Sequence, residues 1–328
     1  MTTMMHFFKR TAAAALVALM ATGAQAQETV TYLFPAPDFL PAFAPFHLAK
    51  SKGYFADAGL EVDFQIGKGG ADVAAQVAVG NADLGGGIGD TPIIVRANGL
   101  DIRGVALLGG RGLTQLYWRT DSGITGPADF AGKSIGVLAY QDTTYYNLLG
   151  VLASQGMTRG DVDAQAVGPG GMIQLMISGD IQAISGVPEW AASIRAAGVE
   201  LGEQSVDTLF PAMAQAIIAS DKTIAERPEV VRGVVQGVLR AIGDIMADPA
   251  QAAADYVAAV PRYEGQEAMI EGIMRDYVAK VYSPAEGQPL GAFDPERIKA
   301  VQDFYLANEI VRTAVPVEDL YTNAFVGE

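Results

Sequence analysis

The side chains of this 328-residue chain that could do chemistry are acids and aromatics at turns. Asp38 and Phe39 follow an apolar run, with Phe43 and Phe46 close behind. Gly87-Ile88-Gly89-Asp90-Thr91 follows a glycine-rich one, Tyr140-Gln141-Asp142-Thr143-Thr144 opens an aromatic helix, and Glu189-Trp190 follows Gly186-Val187-Pro188. Carboxylates accept hydrogen bonds and favour ammonium, amidine or amino-heterocycle groups, while Phe, Tyr and Trp rings stack on a flat solute or cover a cation. The basic residues in the same neighbourhoods are Lys68, Arg96 and Arg111. That balance predicts a nitrogen-containing solute, aromatic ones included. Each residue also has a purely structural use: Asp38, Asp90 and Asp142 could cap helices or turns, and Trp190 could fill a core. Only one of Tyr145 and Tyr146 is expected to reach a ligand, and His47 is expected to be packed.

Covalent chemistry has little to work with. There is no cysteine, and His47 is the single histidine beyond the N-terminal segment. No H-E-x-x-H pair occurs. A glycosidase-like pair could be drawn from Asp38, Asp90, Asp142 and Glu189, but any four acids permit that. The expectation is a binding protein and not an enzyme, with no catalytic residue, no metal and no cofactor.

The N-terminus reads as a secretory signal: Lys9 and Arg10, an apolar run from Ala12 to Ala21, then the small-x-small sequence Ala24-Gln25-Ala26. Residues 1–26 are therefore expected to be removed, leaving a periplasmic chain without lipid anchor or disulfide. Loss of Lys9 and Arg10, with no acid removed, takes the net charge from −15 to −17. Nucleic acid and anionic membrane surfaces both need a basic footprint, so neither is an expected partner.

Those residues must be held by a scaffold, and the periodicity supplies one twice. Strand Thr29–Phe34, helix Phe46–Lys52, strand Leu60–Ile66, a helix ending at Gly80 and strand Ala82–Gly85 give an alternating βαβαβ order. Ser134–Leu138, Thr144–Gln155, Asp163–Val167, a helix ending at Gly179 and Gln182–Ile184 repeat it. The predicted fold is α/β: two doubly wound lobes joined by a two-crossing hinge, with lobe 1 at 27–115 and 213–328 and lobe 2 at 116–212. The helices after Ala225 are expected on the outside of lobe 1. Ligands of open α/β sheets bind beyond the carboxyl ends of the strands. Six loops lie there: Pro35–Phe39, Gly67–Gly70, Gly85–Thr91, Ala139–Thr144, Gly168–Gly171 and Gly186–Trp190. If the lobes face one another, all six meet in one cleft.

Several stretches carry a family resemblance. PFHLAKSKGYFADAGLEVDF, GNADLGGGIGDTP, GITGPADFAGKSIGVLAYQDTTYYNLLGVLASQGM, SGDIQAISGVPEWA and VPVEDLYTNAFV resemble, in order, periplasmic substrate-binding proteins for nitrate, sulfonates, taurine and thiamine-pyrimidine precursors. The resemblance implies a type II periplasmic binding fold that closes around a small solute and delivers it to an ABC permease and its ATPase, working as a monomer. It implicates the loop at Asp38-Phe39, Gly89-Asp90-Thr91, Tyr140 to Thr144, and Glu189 with Trp190. Two departures matter. Asp142 stands where taurine-type members would commonly place a hydroxyl, and a carboxylate repels a sulfonate or nitrate oxygen. Phe43 stands where the pyrimidine branch often has a histidine. The expected solute is thus an amino-heterocycle such as a thiamine pyrimidine precursor, with a sulfonate, taurine or nitrate as the alternative. A pyrimidine-synthase-like enzyme is the alternative of another class, and a membrane sensor is a partner that closure would serve equally well.

Overall fold

The computed structural model describes residues 27–327; the expected signal peptide lies outside the described residues. β1 (Glu28–Phe34) is β-branched and aromatic, and it pairs in parallel with β2 (Leu60–Ile66) along its full length. Between them run α1 (Ala44–Ser51) and α2 (Tyr54–Asp57), followed by α3 (Gly70–Ala78), β3 (Leu84–Ile88), α4 (Thr91–Arg96) and β4 (Ile102–Leu107). The chain then crosses into β5 (Gln115–Arg119) and winds through β6 (Ser134–Val137), α5 (Thr143–Ser154), β7 (Asp163–Ala166), α6 (Gly168–Ser178), β8 (Ala183–Gly186), α7 (Pro188–Ala196) and β9 (Leu201–Ser205). It returns as β10 (Gln215–Ser220) and ends in α8 (Asp221–Glu226), α9 (Pro228–Ala247), α10 (Pro249–Ala259), α11 (Glu267–Tyr277), α12 (Pro295–Ala307) and α13 (Val317–Leu320).

Two five-stranded sheets result, ordered β2-β1-β3-β10-β4 and β7-β6-β8-β5-β9. Each follows the same plan, and each contains one antiparallel strand contributed by the crossing chain: β10 between β3 and β4, β5 between β8 and β9. The sheets are therefore mixed. The third strand of the first sheet is Leu84–Ile88, later than the expected Ala82–Gly85. Its three glycines look like a loop in sequence; in the fold Gly85 lets α3 lie against the sheet, Gly86 admits Pro35 and Gly87 admits Thr91. A Cβ on Gly85 would sit 2.3 Å from Val73 Cγ1 of α3.

The C-terminal helices correct a second expectation. α9 buries Val231, Val234, Val238 and Ile242 at three- and four-residue spacing and, with α10, packs on α1 in the first lobe. α11, in contrast, packs on both α10 and α7 of the second lobe. Lys280, just beyond α11, pairs with Glu203 of β9 at 2.9 Å. α12 reaches both lobes as well: Phe304 meets Phe210 (4.8 Å between ring centres), and Tyr305 bonds to Asp90. Apolar periodicity shows that a helix has a buried face but not which lobe covers it.

The hinge is braced from the same side. Arg297 of α12 donates to the carbonyls of Gly110 (3.0 Å) and Ala212, one on each crossing, and pairs with Asp207 at 3.5 Å. Asp207 in turn accepts from the Gly112 N–H at 2.9 Å. One guanidinium thus holds both connections between the lobes.

Candidate ligand-binding site

The facing loops enclose a cavity of about 180 Å³. Five of the six predicted loops border it. Gly168–Gly171 does not: α6 begins almost directly after β7, whereas the longer Gly67–Gly69 link carries Gly69 and Gly70 inward. A wider groove of about 800 Å³ runs along the outer face of α9. No strand-end loop reaches that groove, and it is open to solvent, so the enclosed cavity is the stronger candidate.

Gly87, Thr91, Gln141, Asp142, Thr143, Thr144, Glu189 and Trp190 all border the cavity. Asp142 does two things there. It is the N-cap of α5, its Oδ1 accepting from the Thr144 N–H at 2.8 Å and the Thr144 hydroxyl at 2.7 Å, and the same side chain faces the cavity. Burial raises its pKa. Glu189, in the first turn of α7, is buried with Oε2 accepting from the Tyr277 hydroxyl at 2.7 Å. Removal from water pushes its carboxyl up to about 7.

The other five predicted site residues lie elsewhere. Phe46 is a core residue, 1 % exposed, packed on Tyr32 and Phe34. Phe39 faces away from the cavity, with the Arg262 guanidinium 3.6 Å from its ring centre. Asp38 is part of a turn whose backbone carbonyl meets His47 Nε2 at 3.0 Å; His47 itself is packed, and burial lowers its pKa. Tyr140 is 50 % exposed and turns outward, its hydroxyl donating to the Ala164 carbonyl at 3.0 Å. Asp90 is buried behind the cavity wall with both oxygens occupied, Oδ1 by the Thr143 hydroxyl of the other lobe at 3.1 Å and Oδ2 by Tyr305. It is therefore an interlobe contact, and burial pushes its carboxyl up to about 6.

Sequence reasoning passed over several wall residues. Leu113, Thr114 and Gln215 come from the hinge and form part of the lining; Phe43, one of the aromatics singled out in sequence, lines it too, 5 % exposed and tilted on Phe34. The signal for the hinge residues was available: a segment that crosses between lobes must pass the floor of their cleft. None of the three nearby cations expected from sequence borders the cavity. Arg96 is held by Asp221 in a two-pronged pair at 3.1 and 2.9 Å, Arg111 reaches toward the Ala279 carbonyl, and Lys68 lies outside the lining. Among the described residues the cavity wall has two charged side chains, Asp142 and Glu189, both acids.

The pattern of the NMT1/THI5-like family matches residues 40–252. The chain belongs to that family. Within and around it, the chain is 26% identical to the riboflavin-binding protein RibY of Chloroflexus aurantiacus over 307 residues, covering 92% of this chain and 88% of that protein. It is 29% identical over 240 residues to 4-amino-5-hydroxymethyl-2-methylpyrimidine phosphate synthase of Aspergillus parasiticus, 66% of this chain and 67% of that enzyme. In structure it is similar to the alkanesulfonate-binding protein SsuA of Xanthomonas axonopodis pv. citri bound to MOPS, with a TM-score of 0.70 at 20% identity, covering 90% of this chain and 98% of that one. The NMT1/THI5-like chain described here thus has the two-lobed fold of periplasmic binding proteins.

Proposed function

We propose that this protein is the periplasmic solute-binding component of an ABC importer, and that it captures a single-ring, nitrogen-bearing solute such as an aminopyrimidine precursor of thiamine. The observation that carries this reading is the charge of the cavity wall: two carboxyl groups, Asp142 and Glu189, and no lysine, arginine or histidine among the described lining residues. Such a wall accepts hydrogen bonds from amino or ring N–H groups, and Phe43 and Trp190 supply apolar ring surface beside them. A sulfonate or nitrate would meet two acids and no counter-charge. Size supports a single ring: a cavity of about 180 Å³ is close to the roughly 150 Å³ that takes benzene. A three-ring flavin would require the lobes to stand further apart. Import, binding without turnover and secretion of the mature chain remain parts of this proposal, supported by the fold and by the leader-like residues 1–26.

The test is a calorimetric and thermal-shift comparison of the mature protein with 4-amino-5-hydroxymethyl-2-methylpyrimidine, riboflavin, taurine, MOPS and nitrate. The aminopyrimidine should bind most tightly and raise the melting temperature, since a ligand at a hundred times its Kd adds about 2.7 kcal/mol. It should also be recovered chemically unchanged after prolonged incubation. Tighter binding of a sulfonate or of nitrate would overturn the chemical reading; tighter riboflavin binding would overturn the size argument.

A further inference from the structure

We propose that Tyr277 is a positioning residue for ligand recognition: its hydroxyl holds one oxygen of the Glu189 carboxyl and leaves the other as a fixed acceptor for a solute N–H group. This rests on the acceptor reading of the cavity given above. Tyr277 is the last residue of α11 and is 1 % exposed. Its hydroxyl donates to Glu189 Oε2 at 2.7 Å, in a fully buried contact between residues 88 apart in sequence. Apart from the backbone N–H of Glu189 itself, no second donor among the described residues reaches that carboxyl. Glu189 borders the cavity and Tyr277 does not, so the hydroxyl approaches from the rear.

The position of Tyr277 is secured on two sides. Immediately after it the chain widens into a π-turn, Val278–Tyr282, and that turn is tied to the hinge: the Gly110 N–H donates to the Ser283 carbonyl (3.1 Å) and the Arg111 N–H to that of Val281 (3.2 Å). On the second-lobe side, Arg195 and Lys280 converge on Glu203, while Asp276 takes Lys280 at 3.0 Å. Those cations are engaged there. The groups that face Glu189 electrically are phenols: Tyr277 just before the π-turn, Tyr282 at its end, Tyr256 of α10, Tyr263, and Tyr117 of β5. Tyr277 lies beyond residue 252, where the family pattern ends, so this element of specificity is contributed by the C-terminal helices.

The chemistry follows from protonation. Burial alone favours the neutral acid, which would offer an O–H to the cavity; a hydrogen bond donated by Tyr277 favours the carboxylate, which only accepts. Losing that bond raises the Glu189 pKa further, so near neutrality the group turns from acceptor to donor. A donor-bearing solute then binds less well as pH falls through a higher value than before.

The experiment reads Glu189 directly. In ligand-free mature protein labelled at glutamate Cδ with carbon-13, the Glu189 signal, assigned by its absence in Glu189→Gln, is titrated in the wild type and in Tyr277→Phe. The expected result is a midpoint about one pH unit higher in the variant, the usual scale for loss of one hydrogen bond to a buried carboxylate. An unmoved midpoint in folded Tyr277→Phe overturns the proposal. If Tyr277→Phe does not fold, 3-fluorotyrosine at 277 keeps the shape and strengthens the donor; the midpoint must then fall, and failure to fall is equally decisive. Binding of 4-amino-5-hydroxymethyl-2-methylpyrimidine supplies the functional arm. The affinity ratio of wild type to Tyr277→Phe should be about fivefold near pH 7, rise toward about tenfold below it and close above pH 9, the ligand's own titration being common to both proteins. A ratio that does not change with pH overturns the role in recognition. Failure of the wild type to bind any amino-bearing ring defeats the proposed function, while the carbon-13 titration still decides what Tyr277 does to Glu189.

Discussion

At the scale of single residues, Asp142 and Asp90 separate two uses of a buried carboxyl. Asp142 spends Oδ1 on the first turn of α5 and still faces the cavity. Asparagine caps helices about as well as aspartate, so Asp142→Asn should change stability by less than about 0.5 kcal/mol while weakening aminopyrimidine binding about tenfold. An affinity within twofold of wild type would reduce Asp142 to a cap. Asp90 has no free oxygen for a ligand. Its pKa of about 6 in the fold lies above the ordinary 3.8, so the folded protein holds an extra proton between those values. The stability this group contributes therefore declines as pH rises from about 4 to about 6, and the penalty is complete above that. Asp90→Asn removes the titration. Melting curves should show its stability relative to wild type improving from pH 4.5 to pH 7, whereas a pH-independent difference would mean that Asp90 is not titrating there.

At the scale of elements, the C-terminal helices do more than complete a lobe. The π-turn after α11 lies so close to the first crossing that a Cβ on Gly109 would stand 2.1 Å from the Val281 carbonyl oxygen, and Gly109 has φ +141°. No side chain fits there without backbone movement. Gly109→Ala should cost about 2–3 kcal/mol in denaturant unfolding, in the range of severe steric substitutions; a loss below about 0.5 kcal/mol would mean that the turn yields easily. Gly99→Ala, at a positive φ with open space around it, serves as the control for backbone strain alone.

At the scale of the whole molecule, two sheets of identical plan are joined by two crossings, and the Asp90–Thr143 bond links the lobes directly; hinge closure around the solute belongs to the proposed function. Small-angle scattering should show a smaller radius of gyration with the aminopyrimidine bound than without it. An unchanged radius at saturation would sink hinge closure as the response to ligand. Arg297 spans both crossings, and its loss would strand the Gly110 and Ala212 carbonyls and Asp207 together. Arg297→Met should destabilise the protein by about 3 kcal/mol, the scale for removing one partner of a buried ion pair, as read from denaturant midpoints.

Much of this was legible in sequence because it depends on local chemistry. Apolar spacing marked β2 to the residue and placed α5 within one, since a strand or helix must put its apolar groups on one face. Strand-end loops are local too, and they brought Gln141 to Thr144 and Glu189-Trp190 to the cavity. The inward or outward turn of a side chain is not local. Phe39, Phe46 and Tyr140 are ordinary aromatics beside a cleft, and packing against Arg262, Tyr32 and the Ala164 carbonyl turned each away. The partners of Asp90 and Glu189, Tyr305 and Tyr277, lie 215 and 88 residues along the chain. Sequence thus determined two α/β lobes and an acidic set of loops; tertiary structure decided which acids face the solute, because only packing fixes where a buried carboxyl finds its donor.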